Sequence, residues 1–253
     1  MINMVEKSTS IEYDLPTKFC RKSMMYKKFL LSLLLSAGIS GYATAWDFTA
    51  MTPDPVPDEV DIAFIGNSIT RHAPNKELDW SGDWGMGASK KENDYAHRTA
   101  TMLGVSQSKI YTRNLYPFET SADSVVGIID SLEPLLSKSK TIVVQLSENV
   151  SATGNGGVKQ FKKSYSKLIS SIPKGKNIFC ISSFWKSDET DNVIKSVCNK
   201  YGGKYVFIGD IYQNQFAHQN SVLFTNQGVQ VHPNDYSMNL IAERLSEKMK
   251  TNQ

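Results

Sequence analysis

Apolar residues in this chain recur in two alternating patterns. Short continuous runs read as buried strands: "DIAFIG" (61–66), "KIYTRNL" (109–115), "TIVVQLSEN" (141–149), "NIFCISSFW" (177–185) and "KYVFIGDIY" (204–212). Between them the spacing becomes helical. "DYAHRTATMLG" places Tyr95, Thr99 and Met102 on one face and stops at Gly104. "ADSVVGIIDSLEPLL" does the same with Val125, Ile128, Ile129 and Leu132, and "VKQFKKSYSKLISSI" with Phe161, Tyr165, Leu168 and Ile172. "DETDNVIKSVCNKYGG" closes at Gly202, and "NDYSMNLIAERLSEKMK" turns Leu240, Ile241, Leu245 and Met249 inward.

Strands that are apolar throughout, each followed by a helix, imply a parallel sheet covered on both faces. Right-handed crossovers then predict a three-layer α/β/α sandwich, flavodoxin-like, with about five strands. Ligands of such sheets bind at the carboxyl ends of the strands. Ser68, Asn149, Asp210 and the loop before His232 are predicted to gather there.

The first 45 residues stand apart. "MMYKKFLLSLLLSAGISGYATA" has two lysines, a short apolar run from Phe29 to Leu35, and Ala43-Thr44-Ala45. This is the pattern of a secretory signal peptide, with cleavage expected after Ala45. The apolar run is too short to span a bilayer, which needs ~20 residues. An uncleaved anchor is the alternative, and Met24 or Met25 is a candidate start. The expected division is a leader over 1–45 and one domain over 46–253. The mature protein is then exported, periplasmic or secreted, with no stable membrane insertion.

Removing the leader changes the charge. Of 28 basic and 25 acidic residues, it holds six and three, leaving 22 of each. A neutral mature chain gives no ground for a nucleic-acid surface. No CxxC or clustered His indicates a metal, and no cofactor is implied. Cys180 and Cys198 are the only cysteines beyond the leader. Export permits a disulfide between them, and two buried free thiols fit the pattern equally well.

Candidate chemistry begins where the first strand ends, in "GNSIT" (66–70). A tight turn lifts Ser68 clear of the sheet, Gly66 permits the sharp backbone, and a helix N-terminus following it would favour an oxyanion. "VHPND" (231–235) precedes the last helix. His232 there can take a hydroxyl proton and return it to a leaving group, while Pro233 suits a helix start. "QLSEN" ends the third strand with Asn149, whose amide can stabilise an oxyanion.

Gly-x-Ser after the first strand, Asn after the third and His-Pro before the final helix resemble the SGNH hydrolases, the GDSL-like esterases. The order of motifs matches from Asp61 to Met249. The resemblance implies a three-layer sandwich and metal-free ester hydrolysis, often of acetyl groups on carbohydrates. Ser68 would be the nucleophile and His232 the base, with the Ser68 N–H and Asn149 in the oxyanion hole.

Three departures bear on mechanism. The family's Asp three residues before the histidine is Val229 here, so Asp235, Asp210 or a backbone carbonyl must orient the imidazole, or a Ser-His dyad acts alone. Loss of the acid from a full triad lowers turnover roughly 10⁴-fold. The second-motif glycine is missing from "RNLYPFETSAD" (113–123), where Asn114 stands in for the motif's asparagine and another backbone N–H must serve, Gly85 and Gly87 being weaker candidates. "LSEN" keeps only the asparagine of the third motif.

An insertion, "LDWSGDWGMGASKKENDY" (78–95), carries Trp80 and Trp84. These rings either stack on a sugar or pin the loop to the domain. Arg71 is a further candidate substrate contact. The expected function is an exported serine esterase acting on a glycan or small-molecule ester. An O-acyltransferase, or a non-catalytic glycan-binding protein on a decayed hydrolase fold, is the alternative.

Overall fold

The computed structural model describes residues 54–150, 156–218, 220 and 223–251. The leader read over 1–45 lies outside the described residues. Five strands form one all-parallel sheet: β1 (Val60–Gly66), β2 (Ile110–Asn114), β3 (Ser139–Gln145), β4 (Asn177–Ile181) and β5 (Lys204–Val206). Their spatial order is β2-β1-β3-β4-β5, so the chain reverses its direction of winding after β2. Gly66 registers with Asn114 on one side and Gln145 on the other. The ends of β1, β2 and β3 therefore lie level, and the loops leaving them share one rim.

Successive strand residues point to opposite faces, and here both faces are covered. Ala63, Ile65, Ile142, Val144 and Cys180 pack against three helices, α3 (Val125–Lys138), α4 (Gly157–Ser171) and α5 (Asp188–Lys200). Ile62, Phe64, Val143, Phe179 and Ile181 pack against α1 (Tyr95–Met102) and α7 (Asp235–Lys250). This double burial explains why the strands read as unbroken apolar runs. The predicted three-layer sandwich is the observed fold.

Two short helices were not legible in the pattern. α2 (Tyr116–Thr120) follows β2, with Pro117 in its first turn, and α6 (Gln227–Gln230) precedes His232. Conversely, no helix follows Ser68. The chain makes one turn, closed by Thr70 N–H and Arg71 N–H onto the Asn67 carbonyl at 3.0 and 3.1 Å. Pro233 lies outside α7, whose N-cap is Asn234. Cys180 and Cys198 form a disulfide, Cα to Cα 6.1 Å, that ties β4 to α5. Among the described residues no helix is long and apolar enough to cross a membrane.

Candidate active site

The turn that carries Ser68 is built around a shortage of space at Gly66. A Cβ there would lie 2.0 Å from the Thr70 hydroxyl and 2.6 Å from the Gln145 carbonyl. The glycine thus lets Thr70 fold back beneath the turn, where its hydroxyl meets that of buried Tyr95 at 2.7 Å. The Asn67 carboxamide braces the turn from within, accepting the Ile69 N–H at 3.0 Å. Ser68 is left half-buried at the rim. Its carbonyl accepts the Met86 N–H at 2.9 Å, while its own N–H donates to no group among the described residues.

Ser68 Oγ lies 2.9 Å from His232 Nε2, bridging 164 positions of sequence. The other ring nitrogen, Nδ1, lies 2.7 Å from the Gly228 carbonyl. A carbonyl only accepts, so Nδ1 carries the proton and Nε2 is left to accept from the serine. The partner of His232 is therefore a neutral backbone oxygen one turn earlier in the chain.

Neither proposed carboxylate takes that role. Asp235 accepts from Ser89 N–H and Oγ at 2.8 and 2.6 Å and from Asn93 at 2.8 Å, which anchors the insertion to the start of α7. Asp210 is paired with Arg244. Val229, at the family's acid position, is fully buried beside Trp80 and Met86, where an ionised side chain would lack solvation.

Burial lowers the His232 pKa from 6.5 to about 4, with the Gly228 bond opposing the shift and His72 adding to it. The imidazole is therefore neutral at pH 7, as a base must be. The Trp185 ring stands edge-on to it, centroids 5.2 Å apart. The Trp185 indole N–H is buried and donates to nothing among the described residues. Gly87, from the insertion, packs against the base of the His232 side chain at φ +95°, where a Cβ would lie 2.8 Å from His232 Cβ.

Asn149 reaches the rim from the end of β3. Its Nδ2 donates to Glu119 Oε2 at 2.6 Å. The other Glu119 oxygen accepts from Asn67 Nδ2 at 3.3 Å and from the Ser147 N–H. Burial raises the Glu119 pKa, and the Asn149 amide, the Ser147 N–H, the Asn67 amide and the Asn149 N–H draw it back down. Glu148 serves the neighbouring loop. It accepts from the Phe184 and Trp185 N–H groups at 2.6 and 3.3 Å and from Gln145 at 3.0 Å. Burial pushes its carboxyl up to about 8.

The remaining candidates have other work. Asn114 donates to the Arg71 carbonyl and accepts the Tyr116 N–H, both at 2.7 Å. The Leu115 N–H donates to the Gly66 carbonyl. The stretch after β2 thus spends these donors on the scaffold. Trp80 is buried, its indole N–H on the His72 carbonyl at 2.9 Å and its ring against Trp84 and Phe224, so it pins the insertion. Trp84 is half-buried and donates to the Ala88 carbonyl. Arg71 is held bidentately by Asp83 at 2.7 Å and by Asp54 at 2.6 Å; the Asp83 carboxylate pushes its pKa up. Its Nη1 also donates to the Thr112 carbonyl at 3.2 Å, so most of its donors are spent on the protein. Among the described residues no three His, Cys, Asp or Glu side chains are grouped to hold a metal.

Glu119, Glu148, Trp185 and Gly228 did not stand out in the sequence. The one usable signal was Glu119's place in the segment that lacks the family's glycine.

The fold is the α/β sandwich of the SGNH hydrolases, which include the GDSL-like esterases. Neither a protein-family model nor a curated protein matches the chain. Among solved structures it is similar to a family 3 carbohydrate esterase of Clostridium thermocellum, at TM-score 0.51 and 13% identity over 77% of this chain and 96% of that one. A protein of Bacteroides uniformis ATCC 8492 assigned as a GDSL-like lipase matches at TM-score 0.50 and 14% identity, over 76% and 96%. A two-domain esterase active on acetylated mannans matches at TM-score 0.50 and 17% identity. The match takes in 77% of this chain and only 50% of that esterase, about half its length.

Proposed function

We propose that the protein is a serine esterase whose nucleophile is Ser68 and whose base is His232. The observation that carries this reading is the 2.9 Å contact between Ser68 Oγ and a buried imidazole whose tautomer is set by Gly228. Ser68 Oγ attacks the acyl carbon of an ester as its proton passes to His232 Nε2. The developing oxyanion is received by the Ser68 N–H and by the second N–H of the Asn149 amide, the first being held by Glu119. Collapse breaks the bond to the leaving oxygen, which takes the proton from Nε2. Water then repeats the sequence on the acyl-serine and releases the acid.

The finer reading is an exported enzyme acting on acyl, chiefly acetyl, esters of carbohydrates. The disulfide supports an oxidising compartment. With Trp80 buried, the exposed aromatics at the entry to α7 become the candidate sugar platform. These are Phe216 and Tyr236, joined to the α7 entry through Asn214 and Asn234. A neutral base already bonded to the serine weighs against a decayed, purely binding protein.

The test is hydrolysis of p-nitrophenyl acetate. Ser68→Ala is expected to retain the fold and lose at least ~10³-fold in kcat. Equal rates in mutant and wild type would end the assignment. Acetylated xylan or mannan as substrate, with a sugar acceptor present, separates hydrolysis from acyl transfer.

A further inference from the structure

The oxyanion side of the site lacks the glycine N–H that its family resemblance calls for, and the chain after β2 brings a buried carboxylate there instead. We propose that Glu119 is the positioning residue of the oxyanion hole, orienting Asn149 directly and the Ser68 turn through Asn67. The inference rests on the esterase reading.

The argument starts from what a carboxylate can do. It only accepts, so whatever faces it must be a donor. Glu119 Oε2 therefore selects the Nδ2 edge of Asn149, at 2.6 Å, over the carbonyl edge. That choice leaves the second Nδ2–H free and turns Oδ1 away. The same carboxylate selects the Nδ2 edge of Asn67, at 3.3 Å, which leaves Asn67 Oδ1 to receive the Ile69 N–H inside the nucleophile turn. One side chain thus decides the amide orientation at both edges of the hole.

A second observation is independent of the amides. Ser147 has φ 147°, a conformation that L-residues rarely adopt. This turn delivers Asn149, and the Ser147 N–H donates to Glu119 Oε1. The carboxylate holds the strained turn as well as the amide beyond it. Donors on both oxygens offset the burial of this carboxylate beside Phe118 and Phe161.

Glu119→Gln separates positioning from mere filling of space. The variant is isosteric but has one acceptor oxygen. Asn67 and Ser147 both donate to Oε1, so the amide nitrogen falls opposite the Asn149 side chain. Asn149 must then turn its carbonyl toward residue 119, which places oxygen where the hole needs a donor.

The experiment measures kcat and KM for p-nitrophenyl acetate in wild type, Glu119→Gln, Asn149→Ala and the double variant, with thermal melts of each. Removing one oxyanion donor lowers kcat by ~10²–10³. Glu119→Gln is expected to fall ~10²-fold in kcat with KM within about threefold, and adding Asn149→Ala is expected to change kcat by no more than about threefold. A kcat within threefold of wild type, or single losses that multiply in the double variant, would overturn the inference. If Glu119→Gln does not fold, Glu119→Asp, which keeps the charge but withdraws it by one methylene, is judged by the same criteria. A wild type that neither hydrolyses the ester nor reacts with a fluorophosphonate would sink the esterase reading and this one together. An active wild type matched by Glu119→Gln would sink this one alone.

Discussion

His232 and Asn149 arrive at the same rim of the sheet on supports of opposite character. His232 donates to a neutral carbonyl, that of Gly228, and is otherwise enclosed by Trp185, Gly87 and the buried Val229 turn. Asn149 donates to a buried carboxylate that also gathers Asn67 and Ser147. The family pattern would place the negative charge behind the histidine. Here it stands behind the amide. An anion beside the imidazole would stabilise the imidazolium, whereas a carbonyl mainly fixes tautomer and direction. The histidine arm is therefore set by packing, and the oxyanion arm by charge-assisted hydrogen bonds.

The packed arm is broken most directly at Gly87. A Cβ there would lie 2.5 Å from the Pro233 carbonyl and 2.8 Å from His232 Cβ, at a φ that already disfavours L-residues. Gly87→Ala is expected to displace the imidazole and lower kcat on p-nitrophenyl acetate by ~10²-fold. A loss under threefold would show that the insertion does not hold the histidine.

The charge asymmetry sets the pH profile. Burial holds the His232 pKa at about 4 rather than 6.5. Activity needs the neutral ring and an ionised Glu119, whose pKa burial raises above the usual 4.5, so kcat/KM is expected to fall on the acid side through Glu119 before His232 protonates near pH 4. A limb at or above 6.5 that persists in Glu119→Gln would reveal an anionic partner of His232. By linkage, the unfolded chain takes up this proton before the folded one. The His232 contribution to stability thus declines as pH falls from about 6.5 to about 4.

The smallest effect is expected where the sequence offered an orienting acid and the structure withholds it. Asp210 is half-exposed and paired with Arg244. Asp210→Asn should change kcat by less than about twofold and stability by less than ~1 kcal/mol. A large fall in kcat would return Asp210 to the catalytic apparatus.

What the sequence disclosed follows the same division. Ser68, His232 and Asn149 were legible because each ends or begins an element in a fixed chain order, and doubly buried strands announce that order. Gly228 was not, because any residue has a carbonyl and only the short α6 turn aims this one. Glu119 lay in a segment where the sequence showed no element; its burial depends on β1, β2 and β3 ending level, which no local pattern records. Trp80 was open in the sequence between stacking on a sugar and pinning the loop; the insertion folds over it and makes it part of a small core with Met86 and Val229.

The central claim is an activated serine at residue 68. Labelling with a fluorophosphonate, followed by mass spectrometry of the digested protein, tests it most directly. The expected result is a single adduct on the peptide carrying Ser68, formed by wild type and lost in His232→Ala. No adduct, or one on a different serine, would contradict the account.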